Sequence, residues 1–394
     1  MIFILFISII SLLFGLLSLF IEIFIFKKAP FLELINNQKP IETGLTIIIP
    51  TYNEEKNIRR CLNSLSKIKR PSKKFKIIVV DDTSQDKTFE IATNLKKELF
   101  KNSKELEVIS SGVRPNNKSW LGKNWACHIG SLRHDTEWLL FIDADVVVEK
   151  NCIYNALHES YTNNIDLLSL APKVNCNCLA EWMVQPIITS LLMIGFPISD
   201  TNDESNNTAF AAGPFMLFKS ASYNKIDGHE GTYNEVVEDL ALAKKIKENN
   251  LKLKFLIAIK DISINMYHDF SSLIEGWSKN WFLGLDKNLS KSITATAFVI
   301  TTYSLPWLLF LSSTMIYIIN KTEISANILL ISFLAIITHA LKRFWLKSKY
   351  NIPSKYWYLN GFGGLIVFYI SILSIYKTYT GIGWTWKGRN LSKL

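Results

Sequence analysis

Five cysteines in 394 residues are few, and no two of them form a CxxC pair. Cys61, Cys127 and Cys152 stand alone, and Cys176 and Cys178 in "NCNC" lack a second ligand pair, so neither a zinc site nor a disulfide framework is expected. Charge is almost absent from the first 26 residues, where Glu22 is the single exception. That run has no basic start and no small-residue cleavage site, which argues against a cleaved leader and for a retained membrane anchor. Internal repeats and low-complexity tracts are also missing, so a repeat array is not expected. Acidic residues number 34 against 44 Lys and Arg, leaving a net charge of +10. The excess suits a protein lying against anionic lipid, and suits solubility and topology equally well. No nucleic-acid-binding motif accompanies it, so nucleic acid is not an expected partner.

What is present is uneven. Apolar blocks recur near Ile293 to Ile319, Ile324 to Leu341 and Leu359 to Tyr376, whereas Gly44 to about Leu289 has mixed composition. The expected plan is an anchor over 1–28, a soluble domain over 44–289, a membrane helix bundle over 290–378 and a basic tail over 379–394. Lys27 and Lys28 after the first block place the soluble domain on the cytoplasmic side of a bacterial inner or plasma membrane. Three later spans would leave the tail on the opposite side. Yet "LKRFWLKSK" and the tail "KTYTGIGWTWKGRNLSKL" are both basic and call for the same side. The block between them carries three glycines and reads as either spanning or re-entrant, so the span count stays open.

Within the soluble stretch, β-branched runs alternate with amphipathic ones. Leu45 to Ile49 is followed by Pro50 and a helical pattern at Ile58, Cys61, Leu62 and Leu65. Ile77 to Val80 ends in Asp81 and Asp82, with a further helix from Thr88; "LEVISS" and "WLLFID" add two more strands. Nearly all-apolar strands alternating with helices predict a mostly parallel sheet covered on both faces. Ligands of such sheets bind beyond the carboxyl ends of the strands. Tyr52, Asn53 and Glu54, then Asp81 and Asp82, then Gly112 to Lys123, then Asp143 and Asp145 all fall there.

In an extended segment Asp143 and Asp145 face the same way, and like charges so close would repel unless a cation lay between them. Hard oxygen ligands of this kind suit Mg2+ or Mn2+ carrying a substrate's phosphates. The alternative is a pair of strand-end acids capping a helix or pairing with Lys. Glu238 and Asp239 open another helix, where the dipole alone would favour carboxylates.

Taken in order, "IIIPTYNEE", "VVDDTSQDKT", "FIDADV" and "VVEDLALAKKI" resemble the family 2 glycosyltransferases, which carry a GT-A (nucleotide-diphospho-sugar transferase) fold. "SWLGKNWACHIG", "AFAAGPFMLFKSASYNKIDGHE", "MYHDFSSLIEGWSKN" and "WTWKGR" are similar to a membrane-bound subgroup acting on carotenoid acids, the diaponeurosporenoate type. The resemblance implies an α/β GT-A domain with an N-terminal transmembrane anchor and C-terminal transmembrane helices. It implies that Pro50, Tyr52 and Glu54 line the base and ribose, that Asp81 holds the base and that Lys123 lies near the diphosphate. Asp143 would face ribose or metal, Asp145 would bind Mg2+ or Mn2+, and Asp239 would be the general base of one inverting displacement. Thr83 stands where the family pattern has glycine, so a differently shaped turn is expected. His229 is implied as either structural or acceptor-contacting; Glu238, Trp277 and Lys279 are candidates for closing over donor or acceptor. The QxxRW signature of processive synthases is absent, and "EGWSKN" stands in its place.

"EWMVQPIITSLLMIGFPIS", Glu181 to Ser199, is apolar but short for a span, and reads as a core helix or, preferably, an interfacial one. The expected function is non-processive transfer of a sugar from a nucleotide-diphosphate donor, a UDP-sugar, to a membrane-dissolved carotenoid or related isoprenoid lipid. A ceramide- or hopanoid-type lipid acceptor and an inactive lipid-binding scaffold are the rivals.

Overall fold

A computed structural model describes residues 1–35, 40–100, 105–350 and 352–391. Successive residues of a strand face opposite ways, and the inner strands are apolar at both parities, so each must be covered twice. The strands of the two larger sheets are β1 (Ile41–Thr51), β2 (Ser72–Asp81), β3 (Leu106–Ser110), β4 (Trp138–Ile142), β5 (Val146–Val148), β6 (Leu167–Ala171), β7 (Lys173–Val174), β8 (Phe215–Lys219), β9 (Leu253–Ile257) and β10 (Ile262–Ile264). Leu45, Ile47, Ile49, Ile77, Val79 and Leu140 pack on one face against helices Ile58–Leu65, Thr88–Leu99 and Cys152–Thr162. Ile48, Ile78, Val80, Leu139 and Phe141 pack on the other against Gly122–Ser131 and Glu238–Glu248. Each fully buried Ile or Leu contributes about 1.5–3 kcal/mol, so these two layers fix the sheet.

Seven strands run in the order β3-β2-β1-β4-β8-β6-β9. The β3-β2-β1-β4 half is wholly parallel, and β6 pairs with β9 in parallel. β8 is antiparallel to both β4 and β6. Its sequence "FMLFK" follows Gly213-Pro214, and the sequence reading, which took that motif for its glycine, did not identify it as a strand. β5, β10 and β7 make a small second sheet. Register aligns Thr51 with Asp81 and Asp81 with Ser110, so the residues that follow these strands leave the sheet at one edge.

The chain divides into two compact units. The sheet unit comprises Ala29–Asn175, Phe196–Met266 and Lys387–Leu394, and the helical unit comprises Met1–Lys28, Cys176–Gly195 and Tyr267–Trp386. The division differs from the contiguous 44–289 block: helices Leu179–Gly195 and Phe270–Gly284 lie in the helical unit, where Trp277 Nε1 donates to Gln185 Oε1 at 3.0 Å. The tail from Lys387 lies in the sheet unit.

Among the described residues, four helices are long and apolar enough to cross a membrane: Ile2–Lys28, Leu289–Asn320, Glu323–Tyr350 and Trp357–Thr380. The glycine-bearing block is continuous helix over Asn360–Thr380, and a Cβ at Gly361 would lie 2.6 Å from the Trp307 ring, so this glycine serves close packing. Helix Leu289–Asn320 carries a π turn over Ile300–Ser304 ahead of Pro306. Proline has no N–H to give the carbonyl four residues back, that of Thr302. A neighbouring helix supplies the partner instead: His339 Nε2 lies 2.7 Å from Thr302 O. The lone acid of the first helix, Glu22, is buried and pairs with Lys342 at 2.8 Å; Lys342 also donates to Ser18 Oγ at 2.7 Å and Tyr303 OH at 2.8 Å.

Candidate functional site

β4 ends at Ile142, and Ala144 and Asp145 form a turn before β5 begins at Val146. Asp143 and Asp145 are therefore not on an extended strand, as the sequence reading supposed; the turn gives the two acids different partners. Asp143 Oδ1 pairs with Lys123 Nζ at 2.7 Å. Asp145 Oδ1 is buried with no hydrogen-bond partner, and burial, followed by the charges of Asp143 and Glu54, pushes this carboxyl up to about 8. A buried carboxylate oxygen without a donor is costly, and a cation relieves that cost. Among the described residues no three His, Cys, Asp or Glu side chains converge as a metal cage. The donor set thus fits a divalent cation that takes Asp145 from the protein and its remaining ligands from diphosphate oxygens and water.

Lys123 opens helix Gly122–Ser131, and Glu238 and Asp239 open helix Glu238–Glu248. Asn124 Nδ2 draws the two together by donating to the carbonyls of Thr232, at 2.6 Å, and Glu235, at 3.0 Å. Lys123 Nζ consequently bridges Asp143 and Glu238, each at 2.7 Å. Burial alone would lower the Lys123 ammonium, but these two carboxylates outweigh it and hold it well above its ordinary value. Asp239 Oδ2 accepts from the Gly213 N–H at 2.9 Å, and Oδ1 from the Leu240 N–H at 2.8 Å. Burial, then the charge of Glu238, pushes the Asp239 carboxyl up to about 6. A Cβ at residue 213 would stand 3.0 Å from Asp239 Oδ2 and 3.4 Å from Lys123 Nζ, so glycine is what lets this backbone approach.

A second cluster gathers at the ends of β1 and β2. Asp81 accepts from Ser84 N at 3.0 Å and Ser84 Oγ at 2.5 Å, which is the strand-end role offered as its alternative. Asp82 is 2% exposed and takes Arg114 Nη2 at 2.6 Å, Ser111 Oγ at 3.0 Å and Arg389 Nη1. Thr83 adopts φ +57°, the left-handed conformation for which glycine is better suited, and its Oγ1 accepts from Arg389 Nη2 at 2.9 Å. Glu54 is held by Lys387 Nζ at 2.5 Å and by Asn57 Nδ2 at 2.8 Å. The Tyr52 ring lies under the Arg389 guanidinium, 3.3 Å from its Cζ. Pro50 is buried at the end of β1, in register with Val80.

The sheet unit therefore brings together Tyr52, Glu54 and Asp81 on one side and Lys123, Asp143, Asp145, Glu238 and Asp239 on the other. His229 is 2% exposed, bonds Tyr223 OH through Nδ1 at 2.7 Å and packs on the Phe141 ring. Burial pushes its imidazole down to about 3. Trp277 and Lys279 belong to the helical unit, where Lys279 Nζ lies 4.6 Å from the Trp386 ring centre. Asp82 was placed at the ligand edge without a role and Gly213 was read only for its glycine, whereas Arg114, Lys387 and Arg389 were not singled out from the sequence. The second acid of "DD" and the "KGR" of the tail were the available signals, but their convergence depends on a separation of more than 300 residues.

Residues 46–227 match the family model described as glycosyl transferase family 2. The chain is similar to 4,4'-diaponeurosporenoate glycosyltransferase of Staphylococcus haemolyticus (strain JCSC1435), 27% identical over 244 residues, covering 61% of this chain and 62% of that protein. It is likewise 27% identical over 255 residues to the protein of that name from Staphylococcus aureus (strain USA300), covering 64% of each. The match spans somewhat less than two thirds of these relatives' length. In structure it is similar to a mannosyltransferase, PcManGT from Pyrobaculum calidifontis in complex with GDP-Man and Mn2+, with TM-score 0.54, 14% identity, and coverage of 95% of this chain and 99% of that one. That likeness carries the GT-A fold expected from the sequence. The parallel strands β2 to β4, their strand-end acids from Asp81 to Asp145 and the motifs along them lie in the segment, residues 46–227, that matches the glycosyl transferase family 2 model.

Proposed function

We propose that the chain is a non-processive glycosyltransferase that moves a sugar, with inversion, from a nucleotide-diphosphate donor such as a UDP-sugar to a membrane-dissolved lipid, a carotenoid acid or related isoprenoid, on the cytoplasmic face. The observation that carries this reading is the pairing of an orphaned Asp145 Oδ1 with an Asp239 carboxylate held by the Gly213 N–H in the same unit. Asp145 would hold Mg2+ or Mn2+, which when bound supplies positive charge to the leaving diphosphate. Lys123, fixed between Asp143 and Glu238, adds a permanent cation beside it. Asp239 accepts the proton of the acceptor's hydroxyl or acid as its oxygen attacks the anomeric carbon. With Leu240 N–H and Gly213 N–H on its two oxygens, its orientation is set before any substrate arrives.

A lipid acceptor is supported by the helical unit. A groove of about 350 Å³ is lined by Met183, Phe270, Phe362, Leu365, Ile366 and Tyr369. Through Phe270 and Tyr369 it continues into a second hollow of about 390 Å³ edged by Glu275, Lys377 and Thr385. One end is apolar and the other polar, which is the shape of a lipid with a reactive head. The test is to incubate membranes containing the full chain with labelled nucleotide sugars and Mn2+, then extract the lipids. Metal-dependent label in lipid that disappears in Asp145→Ala and Asp239→Asn is expected. No label in wild type, or equal label in the variants, overturns the proposal, and chromatographic mobility of the product separates carotenoid from ceramide or hopanoid acceptors.

A further inference from the structure

We propose that Arg389 forms one jaw of a nucleobase clamp whose other jaw is Tyr52, and that Lys387 to Leu391 are a strap that carries this jaw over the donor site. The inference rests on reading the sheet unit as a nucleotide-sugar site, and it adds a specificity element from a part of the chain far outside the family 2 domain.

Three observations converge. The guanidinium of Arg389 already lies over Tyr52, with Cζ 3.3 Å from the ring centre. A planar guanidinium and a phenol each stack on purines and pyrimidines alike, so a base entering between them exchanges one stacking contact for two. The jaws need to part by about one ring thickness, roughly 3.5 Å, to admit it.

The backbone beside Arg389 is held in place, so the opening falls to the arginine side chain. Lys387 Nζ donates to the carbonyls of Tyr52, at 3.1 Å, and Asn53, at 3.3 Å, and to Glu54 Oε1 at 2.5 Å, pinning the strap to the loop that bears the lower jaw. Lys387 at φ +48° and Gly388 at φ +79° make a tight turn between that pin and Arg389. A Cβ at Gly388 would meet nothing within 4 Å, so the glycine is there for its backbone angle and not for space.

Asp82 is what makes the jaw releasable. It is a buried acid with two arginine partners, Arg114 and Arg389. Removing both would leave a buried charge unpaired, but when Arg389 rises with the base, Arg114 stays behind to neutralise it. The Arg389 side chain is 25% exposed while Asp82's is 3%, so the anchor is inside and the jaw is at the surface where a ligand arrives.

The test measures equilibrium binding of UDP and of GDP, with Mn2+, to the full chain in detergent, beside binding of inorganic pyrophosphate under the same conditions. Arg389→Ala should weaken the preferred nucleotide about tenfold and leave pyrophosphate unchanged, because pyrophosphate has no base to clamp. Arg389→Lys should not restore affinity, since an ammonium keeps the charge and loses the plane. Tyr52→Ala should give a similar loss, and the double variant Tyr52→Ala with Arg389→Ala should be little worse than either alone. Tighter nucleotide binding in Arg389→Ala would mean a latch that blocks the site and would overturn the clamp. So would rescue by lysine, or a parallel fall in pyrophosphate binding, which indicate charge or folding. Wild-type protein that binds neither nucleotide overturns the donor reading itself, an outcome distinct from normal binding that Arg389→Ala leaves untouched, which overturns the clamp alone.

Discussion

Asp239 is the residue on which the proposed chemistry turns, and its surroundings set a pH at which it works. Its carboxyl is pushed up to about 6 by burial and by Glu238. The base must be ionised, so turnover should rise with pH through about 6 and level off above it. The same shift has an opposite sign for stability: a carboxyl raised above its unfolded value favours the folded state at low pH, and that contribution is lost as pH rises through about 6. Asp239→Asn should cut turnover by about 10²–10⁴-fold while nucleotide binding persists, checked by initial rates beside equilibrium binding. Gly213→Ala should also lower turnover, by roughly tenfold or more, because its Cβ would stand 3.0 Å from Asp239 Oδ2 and displace a carboxylate whose position matters to within an ångström. Residue identity was legible in "DAD" and "ED", and pairing with a lysine was one alternative, but which acid takes the lysine was not legible. That Asp143 is neutralised by Lys123 while Asp145 is bare follows from a turn at Ala144 that alternation could not reveal.

At the scale of elements, the parallel half of the sheet could be read because its strands are apolar at both parities and end in polar residues. β8 could not, since a five-residue run between a Gly-Pro and a helix carries no periodicity. The helix Leu289–Asn320 shows how a local rule is offset from outside. Pro306 strips Thr302 O of its helical donor, and His339 supplies the replacement. His339→Ala should therefore destabilise the chain by about 1–3 kcal/mol, and adding Pro306→Ala, which restores the helical N–H, should recover most of the loss. Thermal unfolding of the four proteins in detergent checks it; additive losses would contradict it. Glu22 and Lys342 form a comparable cycle between helices Ile2–Lys28 and Glu323–Tyr350. Lys342→Met should cost about 3–5 kcal/mol by stranding a buried carboxylate, whereas the pair Glu22→Leu with Lys342→Met should restore stability.

For the whole molecule, the sequence posed a topological conflict between an odd number of apolar blocks and a basic tail that favours the cytoplasmic side. Lys387 and Arg389 bond Glu54 and Asp82 within the sheet unit. Three candidate spans separate the tail from the earlier part of that unit in the chain. We therefore predict that the tail and that unit lie on one side of the membrane, with an even number of full crossings among the three. Cysteines introduced at exposed positions Lys118 and Asn390 should react with a membrane-impermeant thiol reagent from the same face of sealed vesicles; labelling from opposite faces would contradict this arrangement.

The tail also sets what a minimal active fragment must contain. A fragment confined to residues 46–227 contains neither Asp239 nor Arg389. On the function proposed above, such a fragment would lack both its base and its upper jaw, however well it folded.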